Sequence, residues 1–454
     1  MQNPDMGAGR CCQAADSPHA VGFVLEQPRE IPVVAEVQVL VVGGGPAGVG
    51  AALGAARNGA KTMVVEQSNC LGGMATAGLM SHWSGSTTSP IGNEIFNRMR
   101  DSKSLPIGWT EDRPCNISHE CQKRALFDLL EESGVRIQLH TWFADVIMEG
   151  NRVAGIITES KSGREAILAD VVIDATGDGD VAARAGAEYQ MGREGDGVCQ
   201  PVTLMFRIAG VDYARAIFPG SFESYMDVPK GEVQALGKSH LAFPAGHVLL
   251  YPTRLPGEVC VNMTNAIDID GTDVRDLTKA EILCRRQMDD IVAFLREFVP
   301  GYEKCYLVTS AQNVGVRETR HFKGLYTLTP EDIVEGKVFD DWIAVRNYFN
   351  FDIHNTKGNG LDANGAQKHF HAKGEYTIPY RCCVPEKTDG LLLSGRNISG
   401  THKAHSNFRV MTICLNIGYG AGVAAAIAAR NGIQPRAVDV REIQKALRAA
   451  GFEP

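Results

Sequence analysis

Between Val37 and Glu66 the chain reads VQVLVVGGGPAGVGAALGAARNGAKTMVVE, a pattern that leaves little freedom of fold. The apolar run Val37–Val42 predicts a buried parallel strand. Gly43, Gly45 and Gly48 then satisfy G-x-G-x-x-G. A small-residue helix is expected over 47–58, stopped by Gly59. A second strand, Lys61–Val65, ends at the acidic Glu66. Strand, turn, helix, strand and acid in this order are the frame of a dinucleotide site. Gly43 permits the tight turn, Gly45 lets the backbone approach a pyrophosphate, and Gly48 lets helix and strand pack closely. Pro46 and Ala47 open the helix, whose free N–H groups and positive dipole end face the phosphates. Glu66 can accept hydrogen bonds from a ribose.

Two later segments repeat the theme of small residues beside a ligand. Cys70-Leu71-Gly72-Gly73 follows the second strand, and Gly72 and Gly73 suit backbone passing a large ligand. Ala166–Ala175 predicts a buried strand that ends in Thr176-Gly177-Asp178-Gly179-Asp180. Near the C-terminus the first pattern returns. Gly390–Ser394 reads as a short buried strand, Gly395–Asn407 as a loop, and Phe408–Arg430 as a long helix capped by Asn431-Gly432. That helix contains Gly418, Gly420 and Gly422, each costing about 1 kcal/mol relative to Ala. Close packing against a flat cofactor or a strand would offset this. Between them, His119–Glu132 reads as a helix, and Phe143–Met148 with Arg152–Thr158 as a hairpin.

A chain that leaves its dinucleotide region and returns at its C-terminus suits a long cofactor lying across both, and FAD fits that better than NAD. No second G-x-G-x-x-G in strand–turn–helix context offers a site for a nicotinamide nucleotide. The expected fold is α/β: a Rossmann-like FAD-binding domain with an inserted α+β substrate domain. The segments are an N-terminal arm (1–35), a first FAD-binding part (36–189), the inserted region (190–385), a second FAD-binding part (386–432) and a C-terminal tail helix (433–454).

The stretches VVGGGPAGVGAA (41–52), EQSNCLGGMATAGL (66–79), VVIDATGDGDVA (171–182), GVRETRHFKGLYTLTPEDI (315–333) and YTIPYRCCVPEKTDGLLLSGRNISGTHKAH (376–405) carry a resemblance. Together with the helix that follows, the chain resembles the bacterial FAD-dependent oxidoreductases of glutathione-reductase-like fold, distantly related to the fumarate reductase flavoproteins. The resemblance implies FAD, with Gly43, Gly45 and Gly48 at the pyrophosphate and Glu66 at the adenosine ribose. It also implies that Gly72, Gly73, Gly177 and Asp178 lie along the cofactor, and that Gly395 and Arg396 sit near the flavin or pyrophosphate. Many flavoproteins place an acid where Arg396 stands. The start of the last helix would stabilise negative charge on a reduced flavin.

Flavin chemistry on a small molecule often needs a base, and histidine suits that role. His402 and His405 precede the last helix and Arg409 follows them, so these three are the candidate catalytic residues. In GVRETR, Glu318 and Arg320 would share one face of an extended segment, as an anion clamp or, the favoured reading, as an internal ion-pair network with Arg317. Asp352/His354 and His369/His371 have same-face spacing, but third and fourth metal ligands are not signalled, so no metal is expected. His82 and Trp83 could face the flavin or simply pack.

The expected function is hydride transfer between FAD and a small organic substrate. Oxidation of an alcohol, sugar or amine C–H and reduction of an activated C=C both stay open. The alternatives are an electron-transfer subunit of a larger redox complex and a non-catalytic dinucleotide sensor. Twelve cysteines without any C-x-x-C exclude common iron–sulfur and zinc spacings. They also disfavour a dithiol relay. A net charge of −8 with no basic run argues against nucleic acid. Without an apolar leader at the N-terminus, a cytoplasmic protein with reduced thiols is expected. The uncharged stretch Val410–Ala429 reads as a buried helix rather than a membrane span. The partners expected are a small-molecule substrate and an unidentified electron acceptor, with a homo-oligomer left open.

Overall fold

The computed structural model describes residues 21–22, 24–85, 89–100, 118–220, 224–362 and 372–454. The fingerprint forms as its pattern dictates. Strand β1 (Val33–Val42) runs into helix α1 (Pro46–Arg57), and β2 (Thr62–Val65) returns parallel to β1. Gly43 has φ +101°, and a Cβ there would lie 2.4 Å from the Ala175 carbonyl oxygen. Only glycine tolerates that combination of dihedral and contact.

The main sheet adds β3 (Arg136–Gln138), β4 (Thr141–Glu149), β5 (Arg152–Ser160) and β6 (Gly163–Asp174). Its order is β3-β2-β1-β6-β5-β4. The β3, β2, β1 and β6 pairings are parallel, whereas β4, β5 and β6 form an antiparallel meander. A seventh strand, Leu391–Leu393, pairs parallel to the end of β6, so the C-terminal part of the chain completes the N-terminal sheet. This is the expected α/β architecture with a Rossmann-like parallel sheet.

Among the described residues two hydrophobic cores form. The first lies around the main sheet, and side chains from Phe322 to Val384 join it although the sequence reading grouped them with the inserted region. The second draws on Leu79 and on residues between Val202 and Val314. It fills a four-stranded antiparallel sheet, in the order Leu250–Pro252, Val259–Val261, Phe206–Ala209, Tyr306–Ser310. The helix Val274–Phe298 contributes Cys284, Met288, Ile291 and Leu295 to this core.

Two readings near the C-terminus need correction. The segment expected as a loop contains a short helix, His402–Phe408, whose N-cap Thr401 accepts a hydrogen bond from the Ala404 N–H (3.3 Å). The long helix therefore starts later, at Met411, and ends at Asn431 with Gly432 in the left-handed region. Its glycines meet protein rather than a flat cofactor. A Cβ on Gly418 would lie 2.0 Å from the Ala47 carbonyl oxygen, and one on Gly422 would lie 2.1 Å from that of Ala51. Gly50 and Gly54 of α1 return the contact, at 2.2 Å from the Leu415 and Tyr419 carbonyl oxygens. Gly420 faces the strand Trp342–Asn347, 2.5 Å from the Ile343 carbonyl oxygen. Two small-residue helices thus pack backbone to backbone, which offsets the propensity cost through dispersion contacts. The helix Met411–Asn431 is long and apolar enough to cross a membrane, but its apolar window is wholly buried in the protein.

Candidate functional site

The close packing of α1 on Met411–Asn431 brings two helix N-termini into one region. At α1 the N-cap Gly45 supplies no side-chain bond, and Pro46 has no N–H, so Ala47 and Gly48 keep free donors. A Cβ on Gly45 would meet no heavy atom within 4 Å, so the space beside it is open to a ligand. Gly73 closes one side, its Cβ position 3.1 Å from the Gly45 Cα. Gly72, at φ +102°, donates its N–H to the Gly44 carbonyl (2.7 Å). Glu66 is buried, and its two carboxylate oxygens accept from Gly44 N–H (2.6 Å) and Ser68 N–H (2.7 Å). Each oxygen keeps lone-pair capacity for a ribose hydroxyl. An open glycine, uncapped helix donors and a pinned acid together fit the pyrophosphate–ribose portion of FAD.

The end of β6 supplies the next wall. Asp174 is fully buried, and its side chain accepts from Thr176 N–H (3.1 Å), Thr176 Oγ1 (2.7 Å) and Ala182 N–H (2.8 Å), fixing the Gly177–Asp180 turn. Burial pushes its carboxyl up to about 6 against these hydrogen bonds. Asp178 accepts from Arg396 Nη2 (2.7 Å) and Thr319 Oγ1 (2.6 Å). Gly177 carries φ +88°, with the Arg396 guanidinium 3.1 Å from its Cβ position. Arg396 therefore replaces an acid at this position but brings its charge to Asp178. Gly395 stands against Ala47 of α1.

The other helix N-terminus touches residues in the wall of a cavity. Val410 caps Met411–Asn431 without a side-chain bond. Thr412 Oγ1 donates to the Ser84 carbonyl (2.6 Å), and Ser84 and Gly85 line a cavity of about 220 Å³. Its polar lining includes His82, His247, Tyr251, Asn262, Asp352 and His354. Arg409, two residues before the helix, donates through Nη2 to Asp352 Oδ2 (2.9 Å) and to the Asp352 carbonyl (2.8 Å). His354 Nε2 stands 3.4 Å from Asp352 Oδ1. Burial opposes the Asp352 charge, but His354, Arg409 and Arg317 outweigh it and hold the carboxyl below the usual range. Burial lowers His82, and burial with nearby Arg317 lowers His354. Burial with His354 and Lys238 takes His247 down to about 3.

His402 and His405 do not line this cavity. They sit in a buried cluster around Glu318, whose Oε1 is 2.6 Å from His402 Nδ1 and 2.8 Å from His321 Nε2. The other oxygen accepts the Gln200 N–H (3.0 Å). Burial opposes the charge of Glu318, but these partners hold it well below the usual carboxylate range. His405 packs edge-on to His321, with ring centroids 4.7 Å apart, and burial lowers its pKa strongly. Glu318, His321 and His405 offer ligand atoms within 4.8 Å of one another. The carboxylate takes hydrogen bonds from three groups, whereas His321 Nδ1 and His405 Nδ1 are buried without a partner. Arg320 turns the other way, to Asp180 (3.0 Å), so Glu318 and Arg320 do not form one clamp.

Of the residues singled out from sequence, Gly43, Gly45, Pro46, Ala47, Gly48, Glu66, Gly72 and Gly73 converge on one cradle. Gly177, Asp178, Gly395 and Arg396 form its continuation. Arg409 reaches the cavity through Asp352. His369 and His371 lie outside the described residues. The cavity groups His247, Tyr251 and Asn262 had no local signal, because they come from irregular and short-strand segments between Ala245 and Asn262.

Comparison with known proteins finds partial likenesses and one family match. Thiamine thiazole synthase of Aeropyrum pernix is 31% identical over 170 residues, which span 34% of this chain and 59% of that protein. The chain thus covers less than two thirds of that relative. A geranylgeranyl bacteriochlorophyll reductase-like protein from Thermoplasma acidophilum superposes with a TM-score of 0.46 at 15% identity, covering 91% of this chain and 83% of that one. A p-nitrophenol 4-monooxygenase from Pseudomonas putida gives 0.46 at 12%, covering 91% and 84%. The profile of the family described as FAD dependent oxidoreductase matches residues 38–447, and with nearly the whole fold inside that match the chain belongs to this family of FAD-binding enzymes.

Proposed function

We propose that this FAD-dependent oxidoreductase moves a hydride between FAD and a small organic molecule bound in the 220 Å³ cavity. The observation that carries the reading is the contact between Thr412, in the first turn of the uncapped helix, and Ser84 in the cavity wall. At roughly 30 Å³ per water, the cavity has space for a molecule of about seven waters' volume. FAD, when bound, supplies the two-electron acceptor. The chain supplies position, a dry environment and a proton path. A substrate alcohol or amine gives up its C–H as a hydride, and its O–H or N–H proton passes to His354. The product is a carbonyl or imine, and the two electrons leave later to an external acceptor. Asp352 orients His354, and Arg409 orients Asp352. Run in the other sense, the same pair would protonate an activated C=C during its reduction.

Anaerobic bleaching of the flavin absorbance by a panel of small alcohols, amines and hydroxy acids tests the reading. A bleaching substrate should be slowed about 10²-fold or more in His354→Asn at unchanged flavin content. Equal rates in the variant would remove His354 from the chemistry, and no bleaching by any compound would remove hydride donation by such molecules.

A further inference from the structure

We infer that Glu318, His321 and His405 form a binding site for one divalent first-row transition-metal ion, apart from the substrate cavity.

The residues come from two short patterns, E-x-x-H at 318–321 and H-x-x-H at 402–405. The second lies on the helix His402–Phe408, where residues three apart share a face. The fold brings the two patterns together. The imidazoles of His321 and His405 meet edge to face, with ring centroids 4.7 Å apart. His402 Nδ1 and His321 Nε2 stand 2.6 and 2.8 Å from one oxygen, Glu318 Oε1. Glu318, His321 and His405 offer ligand atoms that all lie within 4.8 Å of one another. Ligands on opposite sides of an ion with bonds of about 2.1 Å are about 4.2 Å apart. Small inward shifts of side chains are therefore enough to close the three on an ion. The residues are 1%, 8% and 1% exposed, so this is an interior site.

Charge gives the first argument. A buried charge is paired or coordinates a metal. The arginines on either side of Glu318 do not serve it. Arg317 donates to the Pro201 carbonyl (2.5 Å) and Thr203 Oγ1 (2.8 Å). Arg320 donates to the Asp178 carbonyl (2.9 Å) and to Asp180 (3.0 Å). Arg396 is held by Asp178 (2.7 Å) and Arg409 by Asp352 (2.9 Å). Among the described residues the ion-pair partners of Glu318 are histidines alone.

Unused ring nitrogens give the second, independent argument. His321 donates through Nε2 to the carboxylate, so Nδ1 of its neutral ring is a bare lone pair. That nitrogen is buried with no partner, and so is His405 Nδ1. Buried polar atoms are nearly always satisfied, and two orphan imidazole nitrogens beside one carboxylate make a metal-ligand set. A ligating histidine commonly gives its other N–H to a carboxylate, which fixes the tautomer and the ring, and His321 already does so. The carboxylate takes three hydrogen bonds, from His321, His402 and the Gln200 N–H, out of about four lone-pair sites, so one site is left for the ion. Two imidazoles and one carboxylate suit zinc, cobalt, iron or nickel, whereas magnesium and calcium take oxygen ligands.

The test uses the full-length, FAD-loaded protein after dialysis against a chelator. Zn²⁺, Co²⁺ and Mg²⁺ are titrated by calorimetry. The expected result is about one Zn²⁺ per chain with Kd below about 1 μM, Co²⁺ competing for the same site, and Mg²⁺ at least about a hundredfold weaker. His405→Ala and Glu318→Gln should each weaken Zn²⁺ binding at least about tenfold, while His240→Ala, at the surface, should leave it unchanged. X-ray absorption at the zinc edge, with one equivalent loaded, should show nitrogen and oxygen neighbours and no sulfur. No Zn²⁺ binding, Zn²⁺ binding unaltered in both ligand variants, or Mg²⁺ binding as tightly would each overturn the inference. Sulfur neighbours would do so too, since the zinc would then sit on cysteines. So would a site present in the FAD-free protein and lost on FAD addition, because the orphan nitrogens would then belong to the cofactor. The absorption and FAD-competition measurements need only the wild-type chain, so a variant that does not fold leaves the inference open to refutation.

Discussion

Gly422→Ala should destabilise the protein although alanine is the better helix former. Replacing a helical glycine by alanine gains about 1 kcal/mol of intrinsic propensity. Here the new methyl would sit 2.1 Å from the Ala51 carbonyl oxygen and 2.8 Å from the Ala55 nitrogen. Both are backbone atoms of α1, which no rotamer change can move aside. Relief requires the two helices to separate by about 1 Å along a seam where Gly50, Gly54 and Gly418 make equally close contacts. Overpacking of this kind costs typically about 1–3 kcal/mol, and a rigid backbone target puts it at or above the upper end. The net expectation is about 2 kcal/mol of destabilisation. Gly92→Ala is the matched control. It lies inside the helix Pro90–Arg100, and its nearest neighbour would be Ser89 Cβ at an ordinary 3.4 Å. That variant should gain up to about 1 kcal/mol. Urea unfolding followed by circular dichroism reads both, and the midpoints should move in opposite directions. A Gly422→Ala midpoint at or above wild type would refute the claim that the helix glycines exist for backbone contact.

Gly45→Ala should leave the unfolding midpoint of the FAD-free protein unchanged, since φ is −67° and a Cβ meets nothing within 4 Å, yet weaken FAD binding about tenfold or more by occupying the pyrophosphate's space; flavin fluorescence titration checks it. Arg396→Met leaves Asp178 with Thr319 alone as a side-chain partner, and FAD retention on dialysis should fall by about tenfold. His247 titrates at about 3 when folded, below its ordinary 6.5, so the stability it contributes is full above pH 6.5 and is lost as pH falls toward 3. Unfolding free energies measured between pH 6.5 and 5 should show His247→Gln losing up to about 1.4 kcal/mol less per pH unit than wild type.

The cofactor half of the molecule was legible in the sequence because its determinants are local. Val37–Glu66 states strand, turn, helix and acid in consecutive residues, and each maps onto β1, α1, β2 and the pinned Glu66. The C-terminal return was legible for the same reason, apart from the short helix His402–Phe408. Its signal was Thr401, a good N-cap three residues before Ala404, which a reading focused on histidine chemistry passed over. The cavity was not legible. Ser84, His247, Tyr251, Asp352 and Arg409 meet only in three dimensions, on segments with neither periodicity nor motif. The favoured reading of Arg317, Glu318 and Arg320 as one internal ion-pair network also split. Glu318 faces histidines, Arg320 faces Asp180, and Arg317 bonds the Pro201 carbonyl and Thr203 Oγ1. Alternation along a strand could not foresee that, because only Arg320 lies in a strand, Arg320–Phe322.

The seam between α1 and Met411–Asn431 has a consequence for the order of events in the cell. The two helices that face each other there stand at opposite ends of the sequence, and the strand Leu391–Leu393 that completes the main sheet is also made late. At roughly 5–20 residues per second, the ribosome emits α1 some tens of seconds before its partner. During that interval the face of α1 that packs on Met411–Asn431 and the C-terminal end of β6 lack their final cover. FAD capture is then expected to follow synthesis of Met411–Asn431. Truncation anywhere before Met411 should abolish flavin loading altogether, even though every residue of the nucleotide fingerprint has already been made.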